Sequence, residues 1–140
     1  MRHLEGAPLP DVQEWDTREW WAHVKQHRLV VQRCTACATF RHPPMPVCHA
    51  CHSFEYEWHP VSGKGVVFSY IIAHHAPSAV YRDLVPYNVV MVELPHAGKV
   101  RIVGNLLNCP LDDIKVGMAV EVAFEDVNDE VTLTQWRLTG

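Results

Sequence analysis

Two pairs of cysteines, Cys34-x-x-Cys37 and Cys48-x-x-Cys51, constrain this chain more than any other feature. Each pair can deliver two thiolates from one tight turn, and pairing of the flanking strands brings the turns together in the tetrahedral Cys₄ arrangement that zinc prefers. A redox pair of the thioredoxin kind would stand alone beside a βαβ unit, and no such unit is visible. The fifth cysteine, Cys109, has no mate, and an odd count argues against a disulfide framework. We therefore read one structural Zn²⁺ ligated by Cys34, Cys37, Cys48 and Cys51, in a reducing compartment, the cytoplasm. Four thiolates leave no coordination position for an activated water, so the ion supplies folding energy and not chemistry. His42, His49 and His52 are read as exposed side chains, not ligands.

The 140 residues allow one compact domain or two small modules. Charge divides them. No acidic residue lies between Trp20 and Phe54, where Lys25, Arg28, Arg33 and Arg41 stand, whereas the stretch from Val61 onward carries six basic and nine acidic residues. We place an N-terminal arm and helix at 1–28, a zinc ribbon at 29–60 and a β-barrel at 61–140.

The first ten residues read as an irregular arm. The helix is expected to begin at Asp16 as N-cap, with Glu19 completing a capping box and Trp15 and Trp20 forming a hydrophobic staple. It runs through His27. Adjacent Trp20 and Trp21 give it a broad apolar face, for packing against the chain or against a partner. Leu29–Arg33, Thr39–His42 and the alternating Phe54–Trp58 read as the ribbon's strands, with Pro43, Pro44 and Pro46 stiffening the connection between the pairs.

The back half reads as all β. Strands are expected at Val66–Ile72, Val89–Leu94, Val100–Leu107, Ala119–Glu125 and Val131–Leu138, with a short helical turn at Leu111–Ile114. Five strands with a helical element between the third and fourth is the arrangement of a small OB barrel. The fold class is thus mainly β with an N-terminal helix, a zinc ribbon followed by a five-stranded OB-fold barrel.

Other chemistry is sparse. A nucleophilic Cys109 would need a base such as His74 or His75 and cationic surroundings; a buried structural thiol is the simpler reading. Tyr81-Arg82-Asp83 lie in the polar loop from His74 to Tyr87. There is no Gly-rich phosphate loop, spaced carboxylate pair or Gly-x-Ser-x-Gly elbow. An OB barrel that binds single strands does so through aromatics on a basic face, and the acidic back half weighs against that use. Apolar runs are far shorter than the ~20 residues of a membrane-spanning helix, and Met1–Gly6 carry no secretory pattern.

The order Arg33-Cys34-x-x-Cys37, Pro43-Pro44, Cys48-x-x-Cys51, Trp58, Ser62-Gly63-x-Gly65-x-Val67, Pro86-Tyr87, Val92-Glu93-Leu94 and Val116-Gly117-Met118-x-Val120 resembles the family of rubredoxin-like zinc-ribbon plus OB-fold proteins once filed as domain of unknown function thirty-five. In that family the first cysteine pair is commonly followed by Gly, where Ala38 stands here, and the second often reads Cys-Pro-x-Cys, where His49 replaces the proline. The resemblance implies a non-catalytic accessory subunit of an acyl-CoA-processing complex. It would bind a thiolase-like enzyme (a thiolase, or a retro-aldolase of steroid side-chain degradation), in some cases with a hotdog-fold hydratase. Trp20, Trp21, Lys25, Arg28, Arg33, Arg41, His74, His75, Tyr81, Arg82 and Tyr87 are then the candidate contacts to partner or acyl-CoA. The rival readings are a free-standing acyl-CoA thioesterase or transferase using Cys109 or a histidine, and a single-strand nucleic-acid binder.

Overall fold

The computed structural model describes residues 5–139; the first four residues of the expected arm lie outside them. One helix, α1 (Arg18–Lys25), precedes three short strands, β1 (Val30–Cys34), β2 (Phe40–Arg41) and β3 (Tyr56–Pro60). Five longer strands follow: β4 (Lys64–Ala73), β5 (Tyr87–Leu94), β6 (Val100–Gly104), β7 (Ala119–Asp126) and β8 (Thr132–Leu138).

The helix begins later than expected, and by a different device. Asp16 lies in the preceding turn, Thr17 occupies the N-cap without a side-chain bond, and the backbone N–H groups of Thr17 and Arg18 donate to Glu14 O. Trp15 is 68% exposed, so there is no staple. Glu19 closes no capping box. Its Oε2 accepts from Trp58 Nε1 at 2.8 Å and Tyr56 OH at 3.1 Å, strapping α1 to β3. Tertiary partners outcompete the local cap. Trp20 and Val24, one turn apart, form the buried stripe, and Trp20 Nε1 donates to Val30 O at 2.9 Å. At the other end His27, at φ 58°, closes a Schellman motif: its N–H donates to Val24 O and that of Arg28 to His23 O.

The ribbon sheet has the order β2-β1-β3, antiparallel throughout, with Cys34 opposite Tyr56 and Val30 opposite Pro60. Its third strand is shifted two residues beyond the expected one, which leaves Phe54 on the surface ahead of it. The Pro-rich connection is gripped from within. Gln32 Oε1 accepts from Met45 N at 2.8 Å, and the buried Arg41 donates Nε and Nη2 to Met45 O.

The second sheet has the order β6-β5-β4-β7-β8, all neighbours antiparallel. It curls until its ends meet. β6 stops at Gly104, short of the expected Leu107, and Leu106 makes a parallel bridge to Trp136 of β8. Asn88 holds this closure from β5: its Nδ2 donates to Leu106 O and its Oδ1 accepts from Leu106 N. Gly104 is required at the crossing, because a Cβ there would lie 2.8 Å from Thr134 O. With a short 3₁₀ turn at Leu111–Asp113 between β6 and β7, this is a half-barrel of OB type. A single cluster of buried side chains runs from Trp20, Val24 and Leu29 of the front half into Val67, Val90, Leu94 and Trp136 of the barrel. Among the described residues no helix is long and apolar enough to cross a membrane.

Candidate metal centre

β1 ends on Cys34 and β2 starts just past Cys37, so the first pair sits at the tip of a β-hairpin. The second pair is delivered to the same point by the connection that Gln32 and Arg41 hold. The two turns are built alike. Cys34 N donates to Thr39 O and Cys48 N to Ser53 O, while Ala38 N returns to Cys34 O and His52 N to Cys48 O, all at 2.9 Å. Ala38 and His52, each directly after its pair, both have φ 66°.

The sulfurs converge. Cys34 Sγ lies 3.6 Å from Cys51 Sγ, Cys37 Sγ lies 3.6 Å from Cys48 Sγ, and all four lie within 4.8 Å of one another. A zinc–sulfur bond of about 2.3 Å demands a tetrahedron with edges of about 3.8 Å, so the donors fit the ion in number, softness and spacing. The surroundings favour thiolate. The backbone N–H of Cys51 draws Cys48 down to about 6, and the N–H of Cys37 lowers Cys34. Cys51 receives an N–H bond from Ser53, yet burial and the neighbouring sulfurs push it up to about 12. The four cysteines hold one structural zinc ion. Cys34 and Cys48 are buried, and Cys37 and Cys51 form the outer edge.

The other sequence-derived candidates are dispersed. Trp20, 4% exposed and bonded to Val30, is core and no docking anchor. Arg41 is likewise inside the ribbon. Arg33 is half-buried and pairs with Glu57 at 3.5 Å. The cationic stretch of the sequence is therefore no cationic face; of its four basic residues only Lys25 and Arg28 are exposed, and Arg28 donates to the Gln26 side chain. Trp21 packs edge-on against Trp20 and walls a shallow cleft with Val12, Arg18 and Lys25. His74, His75 and Arg82 are exposed in the β4–β5 loop, where half-buried Tyr81 and Tyr87 lean on each other at 5.9 Å. His49 and His52 are exposed as expected, but His42 is tucked against the Trp20 ring at 5.2 Å, and burial lowers it to about 4.

Cys109 is half-buried, not fully buried. Burial and then the Asp113 carboxylate raise its thiol, which lies 3.5 Å from Pro110 O. Such a thiol is a poor nucleophile. Sequence reasoning also missed His27, stacked on Phe124 and bonded through Nε2 to both Asp126 oxygens at 2.9 and 3.0 Å, a tie between helix end and barrel.

Comparison with known proteins adds independent findings. The model of the ChsH2 rubredoxin-like zinc ribbon domain matches residues 21–57, and that of the ChsH2 C-terminal OB-fold domain matches residues 58–125. A probable enoyl-CoA hydratase alpha subunit of Thermomonospora curvata is 41% identical over 93% of this chain, which spans only 39% of that protein's length. A DUF35 domain-containing scaffold protein of Methanocaldococcus jannaschii is 32% identical over 79% of this chain and 77% of its own. A solved structure described as an Ltp2-ChsH2(DUF35) aldolase contains a chain with a TM-score of 0.80 and 39% identity, over 94% of this chain and 98% of that one.

Proposed function

Because the chain belongs to the DUF35 family of ChsH2-type zinc-ribbon and OB-fold proteins, we propose that it is a non-catalytic accessory subunit of an acyl-CoA-processing complex, seated on a thiolase-like enzyme and completing or stabilising it. The observation that carries this reading is the near end-to-end likeness to the ChsH2(DUF35) chain of an aldolase. The hydratase alpha subunit from Thermomonospora supports the same class of substrate, a CoA thioester. The chain's own chemistry agrees. Its best-formed polar centre is a metal site with no open position, and burial raises its spare thiol, which makes that thiol a poor nucleophile. Both agree with catalysis on another subunit. Trp21, Lys25, Arg28, His74, His75, Tyr81, Arg82 and Tyr87, which reach the surface, stay in this reading as contacts to the partner or its acyl-CoA. The reduced state that zinc thiolates need fits the cytoplasm.

The test is purification of the tagged chain from its host, identification of what accompanies it, and reconstitution from the separately purified parts. A thiolase-fold enzyme in stoichiometric amount, active on a CoA thioester with the chain and weaker without it, is the expected result. Purification alone, together with CoA-ester hydrolysis that Cys109→Ala abolishes, would replace the reading with a thioesterase.

A further inference from the structure

β4 is a strand of two halves. From Lys64 to Val66 it pairs with β7, from Val66 onward it pairs with β5 on the other side, and Val67 is still held on the β7 side by bonds with Gly117 and Met118. Past that point β7 diverges. From Ser69 to Ala73 the strand pairs with β5 alone, with Phe68 bulged ahead of it, and among the described residues the other edge of 68–73 has no backbone partner. A free edge presents a row of unpaired N–H and C=O groups, and natural proteins usually blunt it with Lys, Pro, a β-bulge or a cover. This one has a bulge at its first residue, Phe68, and beyond it a regular stretch from Ser69 to Ala73 without Lys or Pro. Phe68-Ser69-Tyr70-Ile71-Ile72-Ala73 holds no charge and no proline, and residues 68–71 are all exposed.

The adjoining outer face is apolar as well. Ile71 is 61% exposed and Val103 53%, and between them Val89 and Met91 floor a shallow groove of about 200 Å³. Its polar limit is the Glu93–Arg101 pair, whose guanidinium lies 3.7 Å from the Phe68 ring centroid. Nothing charged lies along the groove, so an acidic peptide or a nucleic acid finds no counter-charge here, and an uncharged apolar strand does. Area decides between a second copy and a different protein. At about 200 Å² for a full Phe or Tyr side chain, the exposed fractions of Phe68, Tyr70, Ile71 and Val103 come to on the order of 300 Å². A standard interface needs about 800 Å² from each side. Two such edges pairing with each other would fall short of a stable dimer, whereas one edge within a broader heteromeric contact would not.

Building on the accessory-subunit reading, we propose that the free edge of β4 at Phe68–Ala73 receives an extended, uncharged segment of the acyl-CoA enzyme subunit. That segment adds a strand to the barrel and lays an apolar side chain into the Ile71–Met91–Val103 groove. Main-chain bonds supply affinity and the groove selects the side chain. The experiment compares amide exchange of the isolated chain with that of the reconstituted complex, alongside binding by Ile71→Lys and by Phe54→Lys, an exposed apolar residue of the ribbon outside the edge and its groove. The expected result is at least tenfold slower exchange across residues 68–73 in the complex, with at least tenfold weaker binding for Ile71→Lys and unchanged binding for Phe54→Lys. Zinc content and melting of Ile71→Lys report its folding, and the exchange measurement stands even if that variant fails to fold. A complex that forms with unaltered exchange at 68–73 overturns the proposal and leaves the accessory role intact. A dimer of the isolated chain that Ile71→Lys dissolves assigns the edge to a second copy and overturns it equally. Absence of any wild-type complex sinks the accessory role, and this proposal with it.

Discussion

Ala38 follows Cys37 as His52 follows Cys51, and both residues bend the chain back through φ 66° so that their N–H groups reach the carbonyls of Cys34 and Cys48. For an L-residue that left-handed conformation costs roughly 1–2 kcal/mol, which glycine avoids, although glycine forfeits roughly 0.5–1 kcal/mol of chain entropy. Ala38→Gly should therefore stabilise the zinc-loaded protein by about 0.5–1 kcal/mol, read as a higher denaturant midpoint at unchanged slope; a lower midpoint would show that the turn carries no strain. The need for glycine after the first pair was legible in the sequence through the family resemblance. Where single side chains end up was less so. Trp20 and Arg41 have the chemistry of interface residues, and sequence shows chemistry without showing what closes over it. Arg41 is covered because the Pro-rich connection crosses it and offers Met45 O as acceptor, an event set by the register of β1 and β2.

At the scale of elements, the helix, the ribbon strands and all five barrel strands follow from periodicity and turn chemistry, with ends displaced by up to three residues. The helix start was misread because a local signal, Asp16 with Glu19, competes with a tertiary one. Glu19 gains two donors from β3 and Trp20 gains Val30 O, more than a capping box supplies. The join between α1 and the ribbon is completed by His42, whose ring lies against Trp20 and whose Nδ1 is buried without a partner. Burial lowers His42 from 6.5 to about 4, so between those values the unfolded chain binds the proton that the folded chain refuses. Stability is then full above pH 6.5 and declines as pH falls toward 4, by about 2–3 kcal/mol at pH 4.5. Zinc thiolates also protonate in acid, so the measurement is a difference. The stability of His42→Leu relative to wild type should grow by that amount from pH 7 to 4.5, and a difference independent of pH would mean that the ring reaches water.

For the whole molecule, composition and charge suggested two modules meeting near Pro60, but the buried side chains form one cluster across that point. Leu29 O accepts from Val61 N at 3.1 Å. Phe40 of the ribbon packs so closely on the barrel turn that a Cβ at Gly98 would stand 3.0 Å from its ring. His27 reaches Asp126 at the far end of β7. The first extends the β1–β3 ladder past Val30 and Pro60; the other two were not legible in the sequence, because each joins segments brought together only by the fold of ribbon, helix and barrel on one another. They bear on what the zinc stabilises. The ribbon strands are two to five residues long, too short to persist without the ion, and without the ribbon α1 loses both Val30 and the β3 donors that hold it. The barrel would then expose the part of its core that Trp20, Val24 and Leu29 cover. Stripping zinc with excess chelator at neutral pH should consequently lower the melting temperature of the entire chain by at least about 10 °C. Barrel and ribbon signals, followed separately by the indole resonances of Trp136 and Trp58, should melt together. Survival of a fully native Trp136 resonance at the wild-type temperature, while that of Trp58 collapses, would show instead that the barrel is an independent unit and that the zinc stabilises the ribbon alone.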